Sequence, residues 1–449
     1  MFKTTKLAIA ILTSSLLLAC GGSDSDGLAD NGYCSAIDAN EKLYSYMQDW
    51  YFWEENLPST FNPGAYPNIP AAIDALRDVQ DRFSFSMTTA QYEDYQASVF
   101  FGYGFSHEVN AGEDGLVIRY VYEDGTPAQN GLRRGDTIIE IDGTSMSQII
   151  SEVKAGTKSF ADYFGPNVSG YSIDIKFEKP NGRIESAKIT KGSITANTVL
   201  AKEVKQLEVD NVDKNVGYLV FNSFDNVSEQ ELNDAFDMFK IDSIDELVLD
   251  LRYNGGGLIR VANQLSTQIA GDNVDGETFV QYRYNSKQSD SNQTLLFNLG
   301  EGIEKMNLDR VVVLTSEGSC SSSELVINSL KPHIEVVTIG NKTCGKPVGM
   351  SPTQICDDVI FAINFDSVNS EGEGEYFDGL PVDCRVDEVV TGDWGVDSDP
   401  LLAEGLNYLQ TGACSSEAQN LSDVFGAKTS KASKKIDWTK GPLKAQKLL

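Results

Sequence analysis

Hydrophobic positions recur along this chain with two periods, and the change from one to the other divides it. Between residues 34 and 97 the period is helical: Tyr44, Met47, Trp50, Tyr51 and Trp53 form an apolar, aromatic face ahead of a turn at Leu57-Pro58. Such a stripe predicts core packing and carries no chemistry of its own. From 98 to 193 the pattern turns β-rich, with the alternating run Leu116-Val117-Ile118-Arg119-Tyr120-Val121. From 194 to 415 strands are predicted at 216–221, 247–251, 310–314 and 334–339, and helices at 229–240, 258–269 and 321–330. Strands alternating with helices predict a layered α/β arrangement around a substantial sheet. The fold class is therefore α/β and multidomain: an N-terminal helical region, a β-rich domain and an α/β layered domain.

Both ends lie outside this pattern. Lys3 and Lys6 precede the apolar run Leu7 to Leu18, too short for a mature membrane span, so residues 1–19 are expected to be an export signal. The run ends in Leu17-Leu18-Ala19-Cys20, which resembles a bacterial lipobox and implies lipidation at Cys20. Residues 20–33 are small and acidic, as suits a tether. Residues 416–449 form a polar tail with seven lysines between Lys428 and Lys447, expected to be mostly disordered. The expected location is the bacterial cell envelope, with the lipid anchor in the outer membrane and the protein facing the periplasm. A length of 449 residues allows two or three domains. The net charge of −30 argues against a nucleic-acid partner, because no basic surface is present to replace phosphate counterions.

Apart from Cys20, six cysteines remain, Cys34, Cys320, Cys344, Cys356, Cys384 and Cys414, an even number in a chain expected to be exported. The expected pairing is Cys320 with Cys344, Cys356 with Cys384, and Cys34 with Cys414. No CxxC pair or histidine–cysteine cluster occurs, so neither a metal nor another cofactor is expected.

The candidate chemistry lies in three segments. Leu249-Asp250-Leu251-Arg252-Tyr253-Asn254-Gly255-Gly256-Gly257 ends a buried strand, and its glycines let backbone N–H groups approach a carbonyl closely, as an oxyanion hole requires. Ser319-Cys320-Ser321-Ser322-Ser323-Glu324 places Ser321 at a strand-turn-helix junction from which a hydroxyl can project. The same residues also spell a capping box, in which Ser321 would only cap the helix. Cys344-Gly345-Lys346-Pro347 follows after one further helix and strand, enough chain to return Lys346 to the same sheet edge as a general base. The chain has two histidines, His107 and His333, and neither stands in a context that suits a triad base. A Ser–His hydrolase using His333 is the rival within enzymes.

A fourth segment, Phe101-Gly102-Tyr103-Gly104-Phe105 with the stretch from Gly125-Thr126-Pro127-Ala128 through Gly135-Asp136 to Asp142-Gly143, resembles a PDZ domain of the bacterial protease-associated type. A glycine-rich loop beside an open strand edge can take up a peptide's terminal carboxylate while the peptide adds a strand. Residues 144–170 are longer and more polar than that fold leads one to expect, so an altered groove is anticipated.

Taken together, these motifs resemble the C-terminal processing peptidases, or tail-specific proteases, of peptidase family S41, over roughly residues 34–410. The resemblance implies a peptidase domain of the ClpP/crotonase-like type at 194–415, a PDZ-like domain at 98–193 and an N-terminal helical region at 34–97. It implies Ser321 as nucleophile, Lys346 as general base, and the Ser322 amide with Gly255 or Gly256 as oxyanion donors. The implied activity is that of a Ser–Lys endopeptidase cleaving exposed or unfolded protein termini outside the cytoplasm, its protein or peptide substrates recognised at their C-termini. Two departures stand out. Where many members place a glutamine four residues after the lysine, this chain has Met350, so Gln354 is the candidate to orient Lys346; and the alanines usual between the motif serines are Cys320 and Ser322. The alternative is a peptide- or ligand-binding lipoprotein on the same fold that has lost catalysis.

Overall fold

The computed structural model describes residues 34–209, 211–297 and 302–418. The expected export signal, Cys20, the acidic tether and nearly all of the lysine-rich tail fall outside the described residues.

The largest sheet has six strands in the order Val199–Val209, Val212–Phe221, Glu246–Asp250, Arg310–Thr315, Glu335–Gly340 and Cys384–Arg385. The first pair is antiparallel and every later pair is parallel. Side chains on successive positions point to opposite faces, and both faces are covered, which is why these strands read as unbroken apolar runs. Leu219, Leu249, Val311 and Val313 meet the helices Ser228–Ile241, Ile259–Ala270 and Ser322–Leu330 on one side. Tyr218, Val248, Val312 and Leu314 meet the helix Pro400–Thr411 on the other.

The PDZ-like segment is a sheet ordered Phe105–Val109, Leu116–Val121, Thr137–Ile141, Ser172–Glu178, Ile184–Thr190. Its core includes Phe105, Ile138, Ile149 and Phe164. The polar stretch after 144 holds the helices Met146–Lys154 and Phe160–Phe164, and the second lays Phe164 against Tyr103, Phe105 and His107.

The N-terminal region is tied into the large domain by three observations. Strand Phe85–Thr88 pairs with Asp358–Phe361. Met47, Tyr51 and Ile73 pack against Val348, Ile360 and Ile363. Cys34 is disulfide-bonded to Cys356. The expected pairings of Cys34 with Cys414 and Cys356 with Cys384 are therefore corrected to Cys34–Cys356 and Cys384–Cys414. Pairing follows docking: the start of the first helix lies on the small sheet that carries Cys356, while the end of helix Pro400–Thr411 returns over the edge strand that carries Cys384. Cys320–Cys344 is bonded as expected.

Candidate active site

Three neighbouring parallel strands, Glu246–Asp250, Arg310–Thr315 and Glu335–Gly340, run into the three candidate segments at their carboxyl ends. Parallel neighbours lie about 4.8 Å apart, so loops leaving them at the same end converge, as in other open α/β sheets.

The glycine loop and the serine turn are bonded to one another. Cys320 N–H donates to the Asn254 carbonyl at 3.0 Å, and the Ser323 hydroxyl donates to that same oxygen at 2.9 Å. The Ser322 hydroxyl donates to Gly257 O at 2.7 Å. Gly256, at φ +99°, approaches so closely that a Cβ there would lie 2.7 Å from Cys320 O, 2.8 Å from Ser321 Cβ and 3.0 Å from Ser322 N. Only glycine tolerates both that φ and that contact. Ser321 itself has φ 56° and ψ −112°, a backbone state rare for a non-glycine residue, directly before helix Ser322–Leu330. A sharp turn of this kind lifts a hydroxyl off the end of the sheet.

The Gly256 N–H donates to Asn254 Oδ1 at 2.9 Å. Among the described residues, no acceptor lies on the Gly255 or Ser322 N–H. Of the two glycines expected as donors, Gly255 therefore keeps an amide that a substrate oxygen can use, and Gly256 serves as the point of close approach.

Glu324 joins the serine turn to the lysine loop. It is fully buried. One of its oxygens, Oε2, accepts the N–H groups of Ser321 at 2.8 Å and Lys346 at 2.9 Å. The other, Oε1, accepts Gly345 N–H at 2.7 Å and the Thr343 hydroxyl at 2.5 Å. Burial pushes the Glu324 carboxyl above its ordinary range, against the bonds from Thr343, Lys346, Gly345 and Ser321 that favour its charged form. The Cys320–Cys344 disulfide makes a second, covalent link between the same two segments.

Lys346 is half-buried, with Nζ 4.0 Å from Met350 Sδ and 5.3 Å from the centre of the Phe83 ring. Gln354 is engaged elsewhere: its amide donates to Thr89 Oγ1 at 3.3 Å and to the Cys356 carbonyl at 3.2 Å. It sits on strand Thr353–Ile355 opposite Val359, further along the ladder that pairs Met350 with Ile363, and the expectation that it orients Lys346 is corrected. Phe83 and the role of Glu324 went unread in the sequence. The capping-box spacing marked Glu324 as a helix-start residue, but nothing local to Phe83 signals its place beside the lysine.

The glycine loop also rests on a buried charge cluster. Arg252 binds Asp250 and Asp399, with contacts at 2.7 Å and 2.8 Å. Arg134, from the turn before strand Thr137–Ile141 of the PDZ-like segment, donates to the Tyr253 hydroxyl at 2.9 Å and stacks on Trp394 at 3.9 Å. Tyr253, next in sequence to Asn254, thus connects the PDZ-like segment to the glycine loop.

Other predicted site residues are placed as follows. Phe101 and Gly102 pair with Ser193 and Gly192 in a two-stranded ribbon, so the first part of the expected peptide loop is a strand with committed backbone groups. Tyr103 is buried, donating its hydroxyl to Phe164 O at 3.0 Å, and Gly104 turns the chain at φ +89° into edge strand Phe105–Val109. His107 stacks on Phe164. His333 lies past the far end of the helix that starts after Ser321, roughly 15 Å away at 1.5 Å per residue, with its ring against Phe297. It is not placed to serve Ser321.

A model of Peptidase family S41 matches residues 215–384, the Peptidase S41 N-terminal domain matches 38–85, and a PDZ domain matches 100–157. The chain is 24% identical over 324 residues to Carboxyl-terminal-processing peptidase 3, chloroplastic, of Arabidopsis thaliana, covering 69% of this chain and 59% of that protein's length. It is 27% identical over 330 residues to the Carboxyl-terminal-processing protease of a Picosynechococcus strain, covering 72% of this chain and 73% of the relative. In structure it resembles a Bacteroides fragilis protein described as a candidate S41 protease, with a TM-score of 0.66 at 23% identity over 83% of this chain and 97% of the other. The matched segments follow one another as N-terminal domain, PDZ domain and peptidase domain, and the segment that matches Peptidase family S41 contains the converging serine and lysine loops.

Proposed function

We propose that this protein is a Ser–Lys endopeptidase that cleaves exposed or unfolded protein chains near their C-termini. The observation that carries the proposal is the Glu324 carboxylate bonded to the backbones of both Ser321 and Lys346, which holds nucleophile and base segments together beside the glycine loop. Neutral Lys346 takes the proton as Ser321 Oγ bonds to the scissile carbonyl carbon. The oxyanion that forms is met by the Gly255 and Ser322 amides at the positive end of helix Ser322–Leu330. The C–N bond then breaks, Lys346 returns the proton to the departing amine, and an acyl ester remains on Ser321. Water, giving a proton to Lys346, then bonds to the ester carbon; the C–Oγ bond breaks as Lys346 restores the proton to Ser321 Oγ, and the new carboxyl terminus leaves. No metal or other cofactor takes part in this sequence.

Substrate capture would use edge strand Phe105–Val109, which can accept an added peptide strand, with the turn at Tyr103 and Gly104 near the peptide's terminus. The enzyme would act in the bacterial envelope, anchored through a lipid on Cys20 in the outer membrane and facing the periplasm. A Cys20→Ala variant should then move from the membrane fraction to the soluble periplasmic fraction.

The deciding experiment compares casein cleavage by the lipid-free protein, Ser321→Ala and Lys346→Ala. Cleavage by wild type alone, with all three folded, is expected. Equal inactivity of all three on unfolded and tail-bearing substrates would favour a non-catalytic binding protein on this fold.

A further inference from the structure

We propose that Arg82, from the N-terminal domain, is a positioning residue for the general base, forming with Glu324 a two-sided clamp on the peptide groups that carry Lys346. This rests on the Ser–Lys assignment above. The two peptide units in question are Cys344–Gly345 and Gly345–Lys346. Their N–H groups, on Gly345 and Lys346, point to Glu324 at 2.7 and 2.9 Å. Their carbonyls, on Cys344 and Gly345, accept from Arg82 Nη2 at 3.3 and 3.4 Å, and the same nitrogen donates to Phe377 O at 3.1 Å. A carboxylate therefore holds the donor side of both peptide units and a guanidinium the acceptor side. Bonds in which one partner is charged are stronger than neutral ones.

The clamp is itself built. Asp81, 3 % exposed, folds the turn by accepting Phe83 N–H at 2.9 Å and Ser84 N–H at 2.8 Å, and it also accepts the buried Tyr51 hydroxyl at 2.7 Å. Ser84 Oγ accepts Ile363 N–H at 3.0 Å, which ties the turn to the peptidase domain. Arg82 Cζ and Lys346 Nζ both approach the Phe83 ring, at 5.1 Å and 5.3 Å from its centre. The ring walls one side of the amine and the Met350 thioether lies on another. In this chain the clamped backbone and an aromatic wall thus both bear on the direction of the lysine side chain. The N-terminal domain becomes part of the catalytic apparatus.

The test measures kcat and KM on a fluorogenic peptide with an apolar, free C-terminus for wild type, Ser321→Ala, Arg82→Lys and Arg82→Ala. Each is assayed with and without added guanidinium chloride below denaturing concentration, and thermal unfolding is followed in parallel. A displaced base should lower kcat about 10- to 100-fold in Arg82→Ala. KM should stay within about two-fold. Guanidinium should restore part of the rate, and Arg82→Lys should fall in between. Wild-type kcat in folded Arg82→Ala, or a loss that guanidinium leaves unchanged, overturns the clamp. Should Arg82→Ala not fold, Arg82→Lys decides on the same criteria, since its Nζ, one bond nearer the backbone than Nη2, falls short of the two carbonyls. A wild type no faster than Ser321→Ala is a different result: it removes the peptidase assignment and the clamp's catalytic role with it.

Discussion

Glu324 Oε2 accepts the backbone N–H of Lys346 at 2.9 Å while the same oxygen accepts that of Ser321 at 2.8 Å, so one atom sets the spacing of two segments that are far apart along the chain. Glu324→Gln replaces one oxygen by an NH2 group that faces backbone donors. The variant should lose roughly 3 kcal/mol of stability, as expected for broken bonds to a buried charged acceptor. Its cleavage rate should fall by more than the stability loss explains, and urea unfolding together with casein cleavage separates the two effects.

The Cys320–Cys344 bond closes a loop of sequence separation 24 between the residue before the candidate nucleophile and the lysine loop. Removing it by a Cys320→Ala/Cys344→Ala double substitution should lower stability by about 3 kcal/mol on the chain-entropy model. Activity should fall as well, because the tether acts on both candidate segments. The Cys384→Ala/Cys414→Ala pair, which links the edge strand to the terminal helix, should lower Tm without a comparable loss of kcat in the protein that remains folded.

Gly256 and Gly255 are adjacent and should respond oppositely to alanine. A Cβ at Gly256 would fall within 3.0 Å of the Ser321 turn, with φ already at +99°, whereas a Cβ at Gly255 meets nothing within 4 Å. Gly256→Ala should abolish detectable cleavage and cost roughly 1–3 kcal/mol from backbone strain alone. Gly255→Ala keeps its amide and should retain fold and measurable activity. Parallel rate and unfolding measurements on the two variants check both statements.

Asp225 lies beside Phe224, whose backbone bonds to Gly256 and Leu258. Burial lifts its carboxyl from the ordinary 3.8 to about 6, opposed by a bond with Ser223 and helped by the charge of Glu231. With the folded value raised, the stability contribution is fully present below about pH 4 and is lost as pH rises through about 6. Asp225→Asn should therefore stabilise the protein above pH 6, by up to about 3 kcal/mol, and leave it unchanged near pH 3.5. Unfolding curves from pH 3.5 to 8 would show the effect; an equal gain at every pH would contradict it.

The sequence by itself determined the elements and the chemistry. Periodicity placed the strands at 247–251, 310–314 and 334–339 and the helices at 229–240, 258–269 and 321–330 to within a residue, since runs buried on both faces must be continuously apolar. Strand Val212–Phe221 begins four residues before the predicted start, and the less uniformly apolar Val199–Val209 and the helix Pro400–Thr411 went unpredicted. Local spelling at 254–257, 319–324 and 344–347 identified the glycine loop, the serine turn and the lysine loop, because each needs particular residue types at fixed local spacing. Tertiary structure decided what those segments touch. The cysteine partners of Cys34 and Cys414, the engagement of Gln354 with Thr89, the commitment of the Gly256 amide and the arrival of Arg82 and Phe83 beside Lys346 all depend on which surfaces dock. Contacts between residues hundreds of positions apart, such as Arg82 and Phe377, are fixed by packing of whole elements and leave no local pattern in the chain.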